Sequence, residues 1–179
     1  MSVIFGPTCQ VGYVVKDIER AMARWIGLGV GPWFYMKDVA PTEYRYFGQS
    51  SRPPRLSMAV AHSGDVQLEL IQQLDDARSL YLDTLGVNGE CAQHVAYWTG
   101  DRFDEYCRRL MAQGFIEGHV GRMSLTRGPF AYFVHPHEPS LMIEISEVTG
   151  GKAEFNEQVR AASIGWDGSD PIRRVGAPK

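Results

Sequence analysis

The chain has no apolar run approaching the ~20 residues that cross a bilayer, and its opening MSVIFGPTCQ lacks the charged and hydrophobic regions of a signal peptide. A cytoplasmic protein without a membrane partner is the expectation. Basic residues hold no excess. With 18 Lys and Arg against 21 Asp and Glu, the formal net charge is −3, which offers no footprint for nucleic acid. Cysteine is scarce: Cys9, Cys91 and Cys107 make an odd number without a CxxC pair. That excludes a disulfide framework and a thiolate zinc site, and fits reduced thiols. What remains is 179 residues of globular composition, 44% hydrophobic and 11% aromatic, enough for one compact unit with a sizeable core.

Charge is placed unusually in two apolar stretches. In VQLELIQ, Val66 to Gln72, strand alternation puts Leu68 and Leu70 on one face and Gln67, Glu69 and Ile71 on the other. In LMIEISE, Leu141 to Glu147, Ile143 and Ile145 share one face while Glu144 lies with Met142 and Ser146. An isolated carboxylate in such a setting pairs, shifts its pKa or binds a metal.

The opening of the chain reads as strand then helix. TCQVGYVV sets Val11, Tyr13 and Val15 against Gln10, Gly12 and Val14. Asp17 serves as N-cap for a helix with Ile18, Ala21, Met22 and Trp25 on one face, stopped by Gly27, Gly29 and Gly31. Pro32 to Val39, Leu56 to Ala61 and Val66 to Gln72 follow as strands; Tyr44 to Phe47 reads either as a further strand or as a loop. Shifted by 84 positions, QVGYVVKD falls on HVAYWTGD, with Gln10 on His94 and Asp17 on Asp101. A second helix follows, with Asp101 as its cap and Gly114 as its end, then strands at Phe115 to Val120, Phe130 to Phe133 and Leu141 to Glu147. Shifted by 75, Leu68-Glu69-Leu70 falls on Ile143-Glu144-Ile145, so the repeat closes at both ends.

The fold class is therefore α+β. Within a single domain, 1–179, module one is 8–72, a linker with a short helical pattern is 73–91, module two is 92–148, and a C-terminal helix and tail fill 149–179. Each module is a βαβββ unit. The last helix, Lys152 to Ile164, presents Phe155, Val159 and Ala162 on one face and should dock on the sheet or on a partner subunit. The tail beyond it should be extended, anchored by Trp166 and Ile172. That helix face, with no place in either repeat, motivates the expectation of a homodimer.

If the first and last strands of both modules line one cavity, Gln10, Glu69, His94 and Glu144 converge. One imidazole nitrogen, one amide oxygen and two carboxylates make a mixed N/O set suited to a divalent ion such as Mn, Fe, Co, Ni or Zn. Each residue alone reads otherwise: a lone His is more often a hydrogen-bonded core residue and a lone strand Glu more often faces solvent. Their common placement at the related positions of a repeat is what favours a metal.

QVGYVVKD, ELIQ, HVAYWTGD and IEISE resemble the four ligand strands of the vicinal oxygen chelate superfamily. It includes glyoxalase I, methylmalonyl-CoA epimerase, extradiol dioxygenases and the bleomycin-resistance proteins. The resemblance runs from about Cys9 to Val148. It implies paired βαβββ modules in an open, cup-shaped mixed sheet around one divalent metal held by Gln10, Glu69, His94 and Glu144. The order Gln, Glu, His, Glu resembles that of eukaryotic-type glyoxalase I, while the epimerases use His, Gln, His, Glu. The set argues for the isomerase and lyase branches, and against an extradiol dioxygenase, which needs two His and one carboxylate. Val14 and Val15 stand where glyoxalase I has a basic residue for glutathione, and Gly29 to Met36, GVGPWFYM, is closer to the epimerase type.

These residues point to a metal-dependent isomerase or epimerase that moves a proton next to a carbonyl. Glu144 and Glu69 are the candidate proton carriers, and the resemblance assigns that role to the last-strand carboxylate, Glu144. A glyoxalase-like lyase, a dioxygenase of the same superfamily and a non-enzymatic sequestering protein are the alternatives. The aromatics Trp33, Phe34, Tyr35, Tyr44, Tyr46 and Phe47 form either ordinary core or a wall for an apolar, aromatic small-molecule carbonyl substrate. His135 and His137 flank a proline in a turn and read as a solvated loop, with an acid-base role as the second reading. His62 and His119 attract no assignment, and no spacing selects among Lys37, Arg122 and Arg127 as a partner for an anion.

Overall fold

The computed structural model describes residues 1–176. In chain order the elements are β1 (Gln10–Val14), α1 (Ile18–Gly27), β2 (Trp33–Val39), β3 (Thr42–Tyr46), β4 (Gln49–Ser50), β5 (Leu56–Ser63), β6 (Val66–Gln73) and α2 (Leu80–Asn88). Then come β7 (Cys91–Thr99), α3 (Phe103–Ala112), β8 (Ile116–Arg122), β9 (Phe130–His135), β10 (Glu138–Glu147), α4 (Lys152–Ser163) and β11 (Ile172–Arg174). All eleven strands form one mixed sheet, ordered β11-β2-β5-β6-β1-β7-β10-β9-β8-β3-β4. The fold is α+β, an open mixed sheet built on two βαβββ units with a helix after the second.

The two units meet at β1 and β7, which pair antiparallel, and each of these pairs parallel with the last strand of its own unit. The four strands β6, β1, β7 and β10 are thus contiguous. Alternation divides their side chains between the faces. Val11, Tyr13, Val15, Leu68 and Leu70 pack with α1, and Val95, Tyr97, Ile143 and Ile145 pack with α3, all on the convex side. Val14, Ile71 and Met142 join α2, through Leu80 and Tyr81, on the concave side. The sequence repeat is reproduced in register: Gly12 pairs with Glu69 and Ala96 with Glu144, the positions that the shifts of 84 and 75 equate.

Three segments depart from the symmetric plan. The Tyr44 region is a strand, but β3 pairs with β8 of the second unit, so the β3-β4 hairpin crosses to the far edge of the sheet. Asp17 does cap α1, accepting from Arg20 N at 2.9 Å. Asp101 does not cap α3: that helix begins at Phe103, and the Arg102 N–H turns back to Thr99 Oγ1 at 2.9 Å. The C-terminal helix docks on its own sheet. Val159 is fully buried against Phe34 and Val60, and Phe155 meets Phe34 edge to face, so the face that suggested a homodimer is covered within the chain. Beyond it, Trp166 lies over Gly31 and Ile172 opens β11, which extends the sheet beside β2. Among the described residues no helix is long and apolar enough to cross a membrane.

Tertiary packing also buries a histidine outside the cluster that the repeat predicts. His119 on β8 is 1% exposed; its Nδ1 lies 3.2 Å from the Tyr44 hydroxyl on β3, and its Nε2 has no hydrogen-bond partner. Burial, with the nearby His94 charge second, pushes its pKa down to about 3. An unfolded histidine titrates near ~6.5, so between these values the unfolded chain binds the extra proton and the native state does not. Stability therefore falls as pH drops through that window. Removing the group with His119→Phe should flatten this dependence. In denaturant titrations of both proteins, made metal-free, the wild type should lose more stability than the variant between about pH 7.5 and 4; parallel curves would contradict the assignment.

Candidate metal centre

Glu69 on β6, His94 on β7 and Glu144 on β10 come together on the concave face. One ligand atom from each lies within 4.8 Å of the others, and all three residues are buried. His94 Nε2 is 3.2 Å from Glu144 Oε2 and 3.5 Å from Glu69 Oε2. Neighbouring ligand atoms of a six-coordinate ion with bonds of ~2.1 Å sit ~3.0 Å apart, so modest contraction of this cluster closes it around a cation.

The orientation of His94 follows from its partners. Gln93 Nε2 donates to the Leu80 carbonyl and to Thr84 Oγ1, both at 2.9 Å. A carbonyl can only accept, which fixes the Gln93 amide and turns its oxygen toward His94 Nδ1 at 3.2 Å. Nδ1 therefore carries the hydrogen, and Nε2 faces the two carboxylates, where it takes a proton or would take an ion. Gln93 reaches this position because β7 holds an extra residue against β1: Gly12 faces His94 while Tyr13 faces Ala92. Gly12 is as necessary as the ligands. A Cβ there would lie 1.9 Å from His94 Cε1 and 2.3 Å from Nε2, so only glycine leaves the ring its place.

Without a cation the cluster is electrostatically incomplete. Glu144 Oε2 is a buried oxygen without a hydrogen-bond partner. Burial disfavours a protonated His94, but Glu144 and then Glu69 outweigh it and lift the imidazole to about 9. Burial likewise raises Glu69, whereas at Glu144 burial is outweighed by the His94 ring together with Lys152 and Tyr132, which lower the carboxyl. The metal-free site thus holds a proton between two carboxylates, in the place a divalent ion would take. The donor set of imidazole nitrogen and carboxylate oxygen fits such an ion.

Gln10 lies on the wall of the same cavity, its amide nitrogen donating to Gln67 Oε1 at 2.7 Å. Its own oxygen carries no hydrogen bond among the described residues. The cavity measures about 90 Å³ and is lined by Met36, Met58, Trp98, Met123, Phe130 and Phe155 beside the polar residues. None of the six aromatics of the first half lines it. Trp33 and Tyr35 pack under α1, Phe34 under α4, Tyr44 against His119, and Tyr46 donates to Asp83. Phe47 stacks on Tyr46. The apolar wall comes instead from residues spread over both units. His135 and His137 stand away from the cavity, His135 stacking on Phe115. Of the three cations without an assignment, Arg127 lines the cavity, and Arg122 pairs with Glu43.

Three residues escaped the sequence reading. Tyr132 on β9 pairs with Glu144, and its hydroxyl lies 3.4 Å from His94 Nε2; alternation with Phe130 was the available signal. Gln93 depends on a bulge, which leaves no trace in local pattern. Lys152 opens α4 and reaches the cavity, donating to Ser146 Oγ at 2.6 Å and to the Gly128 carbonyl at 3.4 Å. Burial lowers it to about 8, which still leaves it mostly protonated at neutral pH.

Comparison with known proteins agrees with this architecture. Residues 9–132 match the family described as the Glyoxalase/Bleomycin resistance protein/Dioxygenase superfamily. Among solved structures, methylmalonyl-CoA epimerase from Mycobacterium tuberculosis is similar at 21% identity over 82% of this chain and 91% of its own, with a TM-score of 0.52. The hypothetical protein BH1468 from Bacillus halodurans C-125 aligns at 16% identity over 79% and 93%, TM-score 0.53. A mutant 4-hydroxymandelate synthase from Streptomyces coelicolor aligns at 15% identity over 78% of this chain and 38% of its own, TM-score 0.50. No curated protein sequence matches. These likenesses bear on the fold, and the match over more than two thirds of the residues identifies the chain as a member of the glyoxalase, bleomycin resistance protein and dioxygenase superfamily.

Proposed function

We propose that this protein is a metal-dependent isomerase or epimerase that moves a proton on the carbon next to a carbonyl of a small substrate. The observation that carries the reading is the convergence of His94 Nε2 with the carboxylates of Glu69 and Glu144 in a buried cluster. A divalent ion held by these three groups and the Gln10 amide oxygen would supply Lewis-acid polarisation of the substrate carbonyl. Gln93 holds the His94 ring, and Gly12 leaves it room. The methionines and Phe130 exclude water from the reacting carbon, which strengthens every charge interaction within.

Glu144 takes the proton from that carbon once its carboxylate turns from His94 toward the substrate. Glu69, its counterpart in the repeat, lies 3.5 Å from the same His94 Nε2 and would return the proton. The one-histidine, two-carboxylate set favours this proton-transfer chemistry over ring-cleaving oxygenation, which takes two histidines and one carboxylate.

The metal part is tested by equilibrating the purified protein with Mn, Co, Ni or Zn and measuring bound ion after removal of excess. One ion per chain is expected. His94→Ala should lose it while remaining folded, and Gly12→Ala, which removes no donor atom, should weaken binding at least ~10-fold by displacing the His94 ring. Full metal content in either variant would end the reading. The chemical part is tested by solvent-deuterium exchange into a panel of carbonyl compounds. Glu144→Gln keeps an oxygen donor and removes the base, so it should retain most of the metal and lose exchange by ~100-fold or more. Glu69→Gln should lose less; the reverse order would assign the base to Glu69.

A further inference from the structure

The walls of the cavity carry four charged side chains, Glu69, Glu144, Arg127 and Lys152. The two acids are committed to His94. The two bases have no such commitment: among the described residues neither Arg127 nor Lys152 forms an ion pair. The Lys152 ammonium spends two of its three N–H groups on Ser146 Oγ and the Gly128 carbonyl, leaving the third without a partner. Among the described residues the Arg127 guanidinium has the Phe155 ring beneath it, at 5.8 Å, and no hydrogen bond. The Lys152 charge is opposed by Arg127 and balanced in part by Glu144, Glu69 and Glu147; a divalent ion in the cluster would take up Glu69 and Glu144 and leave the two cations in want of an anion.

Their placement is built into the backbone. The turn Thr149-Gly150-Gly151 closes onto the loop that carries Arg127, with Gly128 N donating to the Thr149 carbonyl. A Cβ at Gly150 would lie 2.0 Å from the Thr126 carbonyl oxygen and 2.9 Å from Arg127 Cα, and one at Gly128 would lie 2.4 Å from the Glu147 carbonyl oxygen. Gly150 also has φ +63, a conformation that favours glycine. Glycines on both sides thus let two loops meet backbone to backbone, and this contact brings the loop of Arg127 against the start of α4, so that both cations line the cavity that holds Glu69 and Glu144.

The geometry points to a carbonyl substrate that carries its own carboxylate: the carbonyl end directed at Glu69, His94 and Glu144, and the carboxylate received by Lys152 and Arg127. This deepens the proposed isomerase reading and rests on it. With a divalent ion in the cluster the four charged walls would hold a surplus of positive charge, which a small organic anion neutralises. The cavity of about 90 Å³ favours a compact carboxylate over a bulky one. α4 thereby acts as a specificity element, supplying Lys152 and the Phe155 ring on which Arg127 rests.

The probes are oxalate, malonate and succinate, with malonamide as the uncharged control, titrated calorimetrically into the metal-loaded protein, with metal content assayed after each run. The dicarboxylates should bind, with one chain length preferred, and malonamide should not. Lys152→Met should weaken the best dicarboxylate at least ~10-fold with Lys152→Arg recovering most of the loss, and Arg127→Met should weaken it as well, each at unchanged metal content. Unchanged affinity in both methionine variants, equal binding of malonamide, or no dicarboxylate binding to the wild type would overturn the proposal. Failure of Lys152→Arg to recover while Arg127→Met binds normally would also overturn it, assigning Lys152 to holding α4. If the wild type holds no metal, the same titrations on the metal-free chain separate the readings: Lys152-dependent binding there keeps the anion site while the metal site falls.

Discussion

The meeting of β1 and β7 is the constraint on which the site depends. At that seam Gly12 faces the His94 ring, and the missing side chain is the space the imidazole fills. The ring's Nδ1–H is tied to Gln93, whose amide is fixed by a backbone carbonyl and a threonine hydroxyl. Its Nε2 therefore has one direction left, into the two carboxylates. A buried proton or ion between them is the electrostatic consequence, because two carboxylates beside a bare lone pair repel in a low-dielectric interior.

The remaining packing can be understood as support for that seam. Convex-face residues of the central strands are sealed by α1 and α3, so the strands are held from behind without intruding on the cluster. On the concave side α2 brings Leu80 and Tyr81 against the sheet and supplies the carbonyl that orients Gln93. Tyr81, Tyr132 and His119 stack edge to face under His94. Such rings fill volume without contributing a charge, which leaves the cluster's electrostatics to its own members and to Lys152.

How much of this could be read in advance follows from the range of the interactions involved. Alternation and repetition are local signals that every residue of a strand reports, so the faces of β1, β6, β7 and β10 and the α+β architecture were legible. The convergence of Glu69, His94 and Glu144 followed because equivalent strands of paired units must lie side by side. The destination of β3 was not legible, since its own pattern says strand and nothing in it names β8 as partner. Gln93 was hidden by a bulge that needs both strands to exist. Lys152 was hidden because a lysine opening an amphipathic helix looks solvated until the helix is known to sit inside the cup. The aromatic density of Trp33 to Phe47 left core and cavity wall as alternatives for the opposite reason: composition reports bulk and not side, and the rings pack as core against α1, α4 and α2.

The division between what repeats and what does not has a functional meaning. The repeated strands build a nearly symmetric floor, with Gly12 beside Glu69 and Ala96 beside Glu144, and symmetry of this kind suits holding an ion with carboxylates on two sides. A symmetric floor cannot by itself distinguish the two ends of a substrate. That distinction has to come from segments present once, and here the hairpin β3-β4, the helix α2 and the helix α4 are those segments. Only α4, with the loop it packs against, brings charge to the cavity, through Lys152 and Arg127 on one side. The orientation of a bound carbonyl compound would then be set by an electrostatic gradient from one wall to the floor, imposed by a helix added to the end of a duplicated scaffold.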